Sequence, residues 1–335
     1  MVSDQNVRSV ILEVKDLQTH LFTKMGVVRA VDGVSFSLAK GETLGIVGES
    51  GSGKSMTALS LVQLLPKPAA RIIGGSICLE GEELIGKKPE EMREIRGRRI
   101  AMILQDPQVS LNPVFTVGYQ LGEAFARNEQ ISRGETRKRS INALKDVQVA
   151  APERRIDDFP HQMSGGMKQR VVGAIAISCR PSILIADEPT TSLDVTIQAQ
   201  YLRLLNEIKR ATGLSIIFIT HDFGIVANMC DRVAVMYAGR IVETGSVRSV
   251  FANPQHPYTR ALIASVPSPD EKVESLVSIE GAPPALWDLP GGCRFADRCP
   301  FATTRCHEEY PPTFDCGTTE HGEQSAACWL LGGDR

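Results

Sequence analysis

The chain contains no apolar run approaching the roughly 18 residues that a membrane-spanning helix needs. Its opening stretch, MVSDQNVRSV, also lacks the apolar core of a secretory leader. Both absences point to a chain that works in the cytosol, and neither argues against docking to a protein that does span a membrane. A basic excess is missing as well: 37 Lys and Arg stand against 39 Asp and Glu, for a net charge of −2 and a pI near 6.3. That balance excludes a protein whose main business is wrapping nucleic acid in a basic surface. There is no internal repeat, and no heptad pattern long enough for an extended coiled coil. What is present is ordinary globular composition, 335 residues with 42% apolar and 23% charged, enough for about two domains. Cysteine is the exception. Cys78, Cys179 and Cys230 sit singly in apolar segments and read as small buried hydrophobes, whereas Cys293, Cys299, Cys306, Cys316 and Cys328 crowd the end of the chain.

Residues 11 to 38 alternate like strands, rich in β-branched residues and turn signals, and Lys40-Gly41-Glu42 closes them. A short apolar strand, Thr43 to Val47, runs into a Gly-rich loop, and an apolar-periodic helix from Met56 to Leu65 follows until Pro66 stops it. A buried-type strand is predicted at Ile100 to Leu104, a mostly polar helical insertion at about 106–165, and further buried strands at Ser182 to Ala186 and Ser215 to Thr220. Strands this apolar, alternating with helices, imply an α/β fold with a parallel sheet covered on both faces. Beyond about Ser265 the text turns to Pro, Gly, Cys and charge. We therefore divide the chain into a main domain, 1–265, and a Cys-rich C-terminal extension, 266–335.

Gly48-Glu49-Ser50-Gly51-Ser52-Gly53-Lys54-Ser55 fits G-x-x-x-x-G-K-[ST] between a predicted strand and a predicted helix, the context this nucleotide loop requires. Its glycines let backbone N–H groups turn inward around phosphate oxygens, and the helix N-terminus adds its dipole. Lys54 then reaches the β- and γ-phosphates, the Ser55 hydroxyl binds Mg²⁺, and Thr57 lies one turn on. The strand 182–186 ends in Asp187 and Glu188, where a carboxylate faces the ligand crevice. Asp187 is placed to hold the Mg²⁺, and Glu188 to polarise an attacking water. Met163-Ser164-Gly165-Gly166-Met167-Lys168-Gln169 opens another helix with a Ser and two glycines, a second anion-binding start with no ligand in its own chain.

With these motifs in this order, the chain resembles the ATP-binding subunits of ABC transporters over about residues 11 to 265. The resemblance implies a P-loop NTPase, an ABC ATPase with a RecA-like parallel-sheet core, an antiparallel β subdomain and a helical subdomain. It also implies further site residues. Gln105 matches the Q-loop residue that touches Mg²⁺, Asp194 in Ser192-Leu193-Asp194 the D-loop, and His221 the switch histidine at the γ-phosphate. Ser164, Gly165 and Gly166 match the signature, where Met167 replaces the usual Gln, and Phe22 matches the aromatic that stacks on adenine. In this family two ATPase domains pack head to tail, the signature of one capping the ATP bound by the other, so a chain with one copy pairs with itself or with a paralogue.

Gln105-Asp106-Pro107 through Ser110-Leu111-Asn112-Pro113, together with His256-Pro257-Tyr258-Thr259-Arg260, look like the dipeptide and oligopeptide importers and their nickel and glutathione relatives. That likeness implies two permease subunits, an extracytoplasmic solute-binding protein acting through them, and a peripheral position on the cytoplasmic face of the inner membrane. Nucleic acid is not an expected partner. The cysteine tail resembles the C-terminal extension of the same group. A segment so small and polar needs a staple. Disulfides are disfavoured in a reducing cytosol, zinc normally uses C-x₂₋₄-C pairs that are absent here, and wider spacing suits an iron–sulfur cluster. Some members of the group are understood to carry [4Fe–4S] there, which implies Cys293, Cys299, Cys306 and Cys328 as its ligands and leaves Cys316 aside.

Overall fold

The computed structural model describes residues 9–106, 110–126, 131–265, 279–319 and 322–332. Pro107, part of the importer-like wording, lies outside them, as do the helical insertion's residues 127–130. The chain forms two compact units, one from 1–86 with 219–335 and the other from 87–218.

In the first unit, β1 (Val10–Thr23) and β2 (Gly26–Ala39) form a long antiparallel hairpin. The core strand β3 (Thr43–Val47) leads through the Gly-rich loop into helix α1 (Lys54–Leu61), and β4 (Ala70–Leu79) and β5 (Glu82–Glu83) complete a four-stranded antiparallel sheet in the order β2-β1-β4-β5. Helix α1 starts two residues earlier than its apolar periodicity suggests. Gly53 caps it in the left-handed region, at φ 104°, which periodicity does not register.

The second unit contains α2 (Pro89–Ile95), the strand β6 (Ile100–Ile103), then α3 (Val117–Ala126), α4 (Arg133–Asp146), the short α5 (Pro152–Arg155) and α6 (Gly165–Ile177). The strand β7 (Ile183–Asp187) pairs parallel to β6 and is buried along its whole length, as expected of a strand covered on both faces. Helix α7 (Val195–Thr212) is opened by the Asp194 carboxylate, which accepts from Ile197 N–H at 3.0 Å. Gly213 closes it in the left-handed region, after Lys209 and Arg210 in its last turn. Strand β8 (Ser215–Thr220) then carries the chain back toward the first unit.

There, α8 (Phe223–Met229) precedes β9 (Arg232–Tyr237), which runs parallel to β3 in the register Val47↔Val235. β10 (Arg240–Ser246), α9 (Val247–Ala252) and α10 (Pro257–Ala264) follow. The described part of the C-terminal extension holds α11 (Thr304–Glu308) and a hairpin of β11 (Phe314–Thr319) and β12 (Gly322–Ala326). It is knit into the first unit. β12 pairs antiparallel with β10, which also pairs with β9, so the hairpin lengthens the sheet that β3 and β9 begin. The buried Glu243 carboxylate on β10 accepts from Gln255 N–H, His256 N–H and the Gln324 amide, so that three donors from two segments meet one charge. The core of this unit mixes Val47, Val233 and Val235 with Tyr237, Tyr258 and the extension's Phe295, and Cys293 and Cys299 pack against it.

All eight cysteines are free thiols. Cys78, Cys179 and Cys230 are half-buried rather than the fully buried hydrophobes their apolar segments suggest.

Phe295 is a large, fully buried side chain of the extension, with ring centroids 5.3 Å from Tyr237 and 5.4 Å from Tyr258. Phe295→Ala is expected to destabilise the protein by about 3–5 kcal/mol through the cavity it leaves. A urea midpoint indistinguishable from wild type would show that the extension contributes nothing to the first unit's core.

Candidate nucleotide site

In the first unit the phosphate loop is shaped by two close backbone approaches. A Cβ on residue 48 would lie 2.0 Å from the Met236 carbonyl oxygen, and one on residue 53 would lie 2.1 Å from that of Ala30. Only glycine fits at either place. The loop is tied to its surroundings by Gly239 N–H, which donates to Ser52 O at 2.8 Å, and by the internal bond from Ser52 N–H to Glu49 O at 3.2 Å. The Lys54 side chain is buried, and its ammonium donates to the carbonyls of Gly48 at 2.8 Å and Glu49 at 2.9 Å. Ser52 Oγ is buried with no hydrogen-bond partner, while Ser50, Gly51 and Ser55 face outward. Thr57 is buried, and its hydroxyl donates to Gly53 O at 3.0 Å. A cradle closed to any side chain, a lysine resting on carbonyls and an orphaned hydroxyl together fit a phosphate chain.

Two more expected residues lie in this unit. His221 is exposed just after β8, and the adjoining Asp222 caps α8 through Gly224 and Ile225 N–H. Phe22, near the tip of the β1–β2 hairpin, is 45% exposed, with the Arg71 guanidinium carbon 5.5 Å from its ring centroid.

In the second unit the parallel register does the assembling. Ile103 on β6 pairs with Ala186 on β7, so Gln105 and Glu188, each two residues further on, emerge side by side at the carboxyl ends of neighbouring strands. Gln105 Nε2 donates to Glu188 Oε2 at 3.2 Å, and Thr191 Oγ1 donates to the same oxygen at 3.0 Å. Glu188 has φ 46°, a left-handed conformation that is unusual for a residue with a side chain and is found where a functional group is held in place. Asp187 ends β7 almost fully buried. Ser164 caps α6, its hydroxyl accepting from Met167 N–H at 3.4 Å, and Ser164 and Gly165 are exposed. Gly166 faces α7: a Cβ there would lie 2.7 Å from Ile197 Cγ2, so the signature helix and the helix capped by Asp194 are in close contact.

The four cysteines expected as ligands, Cys293, Cys299, Cys306 and Cys328, line a single small cavity of about 20 Å³, while Cys316 is not among its lining residues. Burial pushes the Cys293 thiol up to about 11, and the neighbouring Cys306, Cys328 and Cys299 add to the shift. Burial also raises Cys299 and Cys328. Among the described residues, no group of three or more His, Cys, Asp and Glu side chains is arranged to hold a single metal ion.

Sequence reasoning missed two residues that hold the loop, Tyr258 and Arg298. The Glu49 carboxylate forms a bidentate pair with Arg298, at 2.8 and 3.0 Å, and Glu49 N–H donates to the buried Tyr258 hydroxyl at 2.9 Å. Arg298 stands between two predicted ligand cysteines and Tyr258 in the importer-like text. A carboxylate inside a phosphate loop was the signal that called for a cation elsewhere in the chain.

Residues 31–191 match the ABC transporter family, and residues 242–306 match the C-terminal region of oligopeptide/dipeptide transporters. A probable peptide ABC transporter ATP-binding protein of Sinorhizobium fredii is 50% identical, over 96% of this chain and 95% of its own length. The dipeptide transport ATP-binding protein of Bacillus subtilis is 49% identical, over 96% and 94%. The chain belongs to the ATP-binding subunits of ABC transporters. Its activity is ATP hydrolysis coupled to transport, and its fold is that of the family's cassettes. A dimeric ATP-binding cassette in a post-hydrolysis state, bound to ADP and Pi, aligns with a TM-score of 0.64 at 25% identity, covering 71% of this chain and 99% of that one. The cassette cbiO1 of Clostridium perfringens, part of an ABC transporter complex, aligns at 0.62 and 31% identity, over 73% and 91%.

Gly53→Ala places a side chain at φ 104° and against the Ala30 carbonyl. It is expected to cost at least about 1–2 kcal/mol of stability and to abolish ATP binding in this ABC subunit. Titration calorimetry showing wild-type affinity in a fully folded variant would contradict the cradle geometry.

Proposed function

We propose that this ABC subunit energises an importer of peptides or related small solutes, as one of two ATPase domains docked head to tail beneath two permease subunits. The names of its relatives and the match to the oligopeptide/dipeptide C-terminal region support the peptide class, and the dimeric cassettes among its structural neighbours support the pairing. Cargo is delivered to the permeases by an extracytoplasmic solute-binding protein. Among the described residues no helix is long and apolar enough to cross a membrane, which accords with peripheral attachment to the cytoplasmic face of the inner membrane through the permeases.

The observation that carries the reading is the preformed phosphate cradle, with Lys54 held on the Gly48 and Glu49 carbonyls. In the proposed cycle, backbone N–H groups of 48–54 and the Lys54 ammonium take the phosphates, and Thr57 sits behind the loop. Phe22 stacks on adenine. Ser55, Gln105 and Asp187 hold Mg²⁺, and Glu188 polarises the attacking water while Gln105 and Thr191 aim its carboxylate. His221 contacts the γ-phosphate. Ser164, Gly165, Gly166 and Asp194 serve the nucleotide of the partner domain, which gives the second anion-binding helix start its ligand. ATP closes the pair and hydrolysis reopens it, so nucleotide acts by differential affinity for two states. Glu188→Gln is expected to retain ATP binding, trap the closed dimer and slow hydrolysis by orders of magnitude. Near-normal turnover in the assembled transporter would reject Glu188 as the base.

The finer reading of the tail is a [4Fe–4S] cluster on Cys293, Cys299, Cys306 and Cys328. What supports it is the donor set: four thiols line one cavity, the ligand number and type that such a cluster takes. When bound, such a cluster supplies cross-linking of segments that hydrophobic burial alone does not hold. Because burial raises the Cys293, Cys299 and Cys328 thiols, loading releases protons and is favoured by rising pH. Anaerobic purification is expected to give a coloured protein with iron and inorganic sulfide in equal amounts, both lost in Cys299→Ser. A colourless, iron-free protein carrying one zinc would overturn the cluster.

A further inference from the structure

A carboxylate one residue into a phosphate loop opposes the ligand the loop is built for, because Glu49 places a negative charge where an anion must arrive. The Glu49 carboxylate is partly buried, and the guanidinium that meets it is 5% exposed. That guanidinium comes from the C-terminal extension, at the end of the short turn Ala296–Arg298 that separates Cys293 from Cys299. Every N–H of Arg298 is used. Its two terminal nitrogens grip Glu49, one also donating to the Tyr237 hydroxyl at 3.2 Å and the other to Ile279 O at 3.3 Å, while Nε donates to Glu280 O at 3.0 Å. Lysine, with three donors and no planar fork, does not reproduce this arrangement.

The register explains why the pair forms. Val47 on β3 lies beside Val235 on β9, so Glu49 and Tyr237, each two residues further on, leave the sheet together. Tyr237 packs against Tyr258 with ring centroids 4.5 Å apart and planes tilted by 57°, and the Tyr258 hydroxyl accepts from Glu49 N–H. The Glu49 carbonyl meanwhile holds the Lys54 ammonium. Side chain, N–H and carbonyl of this one residue are thus each engaged, two of them by segments from the C-terminal part of the chain.

We propose that Arg298 is a positioning residue for the nucleotide site: it neutralises Glu49 and pins it, so that the phosphate loop presents Lys54 to an incoming triphosphate without an opposing charge. The C-terminal extension therefore sets ATP affinity. This rests on the assignment of residues 48–55 as the ATP loop. When phosphates draw Lys54 from the Glu49 carbonyl, Arg298 and Tyr258 keep Glu49 in place.

The test is a double-mutant cycle on the full chain, read as ATP affinity by titration and as KM against kcat in the assembled transporter. Arg298→Ala is expected to raise KM and Kd for ATP about tenfold, with kcat within about twofold of wild type. Adding Glu49→Gln to Arg298→Ala is expected to recover most of that loss, because the charge left unpaired is then gone. A merely structural arginine predicts the reverse, a double variant no better than the single one and a lowered melting temperature with KM unchanged, and either result overturns the proposal. If Arg298→Ala does not fold, Arg298→Lys carries the test: a raised KM with kcat retained supports the positioning role, and an unchanged KM overturns it. Failure of the underlying assignment looks different, since wild type would then bind ATP no better than Lys54→Ala does.

Discussion

The carbonyl oxygens of Met236 and Ala30 press on the phosphate loop at two points where no side chain fits, and the rest of the first unit is arranged around that contact. It requires β9 to lie beside β3, and it requires the β1–β2 hairpin to close over the start of α1. The backbone therefore approaches from two different strands, and glycine at 48 and 53 is the condition for both. Once the loop is confined in this way, its backbone and the Lys54 ammonium are organised before any ligand arrives, and the cost of ordering them falls on folding rather than on binding.

The C-terminal extension gains its hold on this unit from aromatic packing and from fully used polar groups. Phe295 supplies buried area against Tyr237 and Tyr258, while Arg294 reaches the Ala238 carbonyl and the Asp32 carboxylate. Glu243 is met by three donors, and Arg298 spends all five N–H groups. Buried charges of this kind add little net stability compared with a well-packed apolar alternative, but removing one partner is costly, so they specify a single arrangement of the segments that carry them. An extension with little apolar surface is thereby held in one position against the phosphate loop.

The nucleotide loop, the paired acids after β7 and the strands that carry them were legible in the sequence because each depends on local chemistry: glycines at fixed spacing, an apolar run, a carboxylate at its end. The helix after the loop was displaced by two residues, since the left-handed cap at Gly53 is a backbone conformation that apolar periodicity does not encode. Gln105 and Glu188 were named separately, and their hydrogen bond follows only from the parallel register of β6 and β7. Arg298 and Tyr258 were not assigned at all. Each reaches Glu49 across more than two hundred residues of chain, and a motif scan along the sequence has no means of pairing positions that far apart.

Sequence alone determined that this chain carries a G-x-x-x-x-G-K-S loop, two carboxylates at the end of an apolar strand, a Ser-Gly-Gly helix start and a cluster of terminal cysteines, because those features are short strings whose chemistry is complete within a few residues. Tertiary structure alone decided that four of the cysteines share one cavity, that Gln105 and Thr191 aim Glu188, and that an arginine in the extension neutralises the phosphate loop's own carboxylate. The physical reason is the same in each case. Charge pairing and side-chain convergence are set by distances in space, and those distances exist only after the sheets have fixed which segments lie side by side.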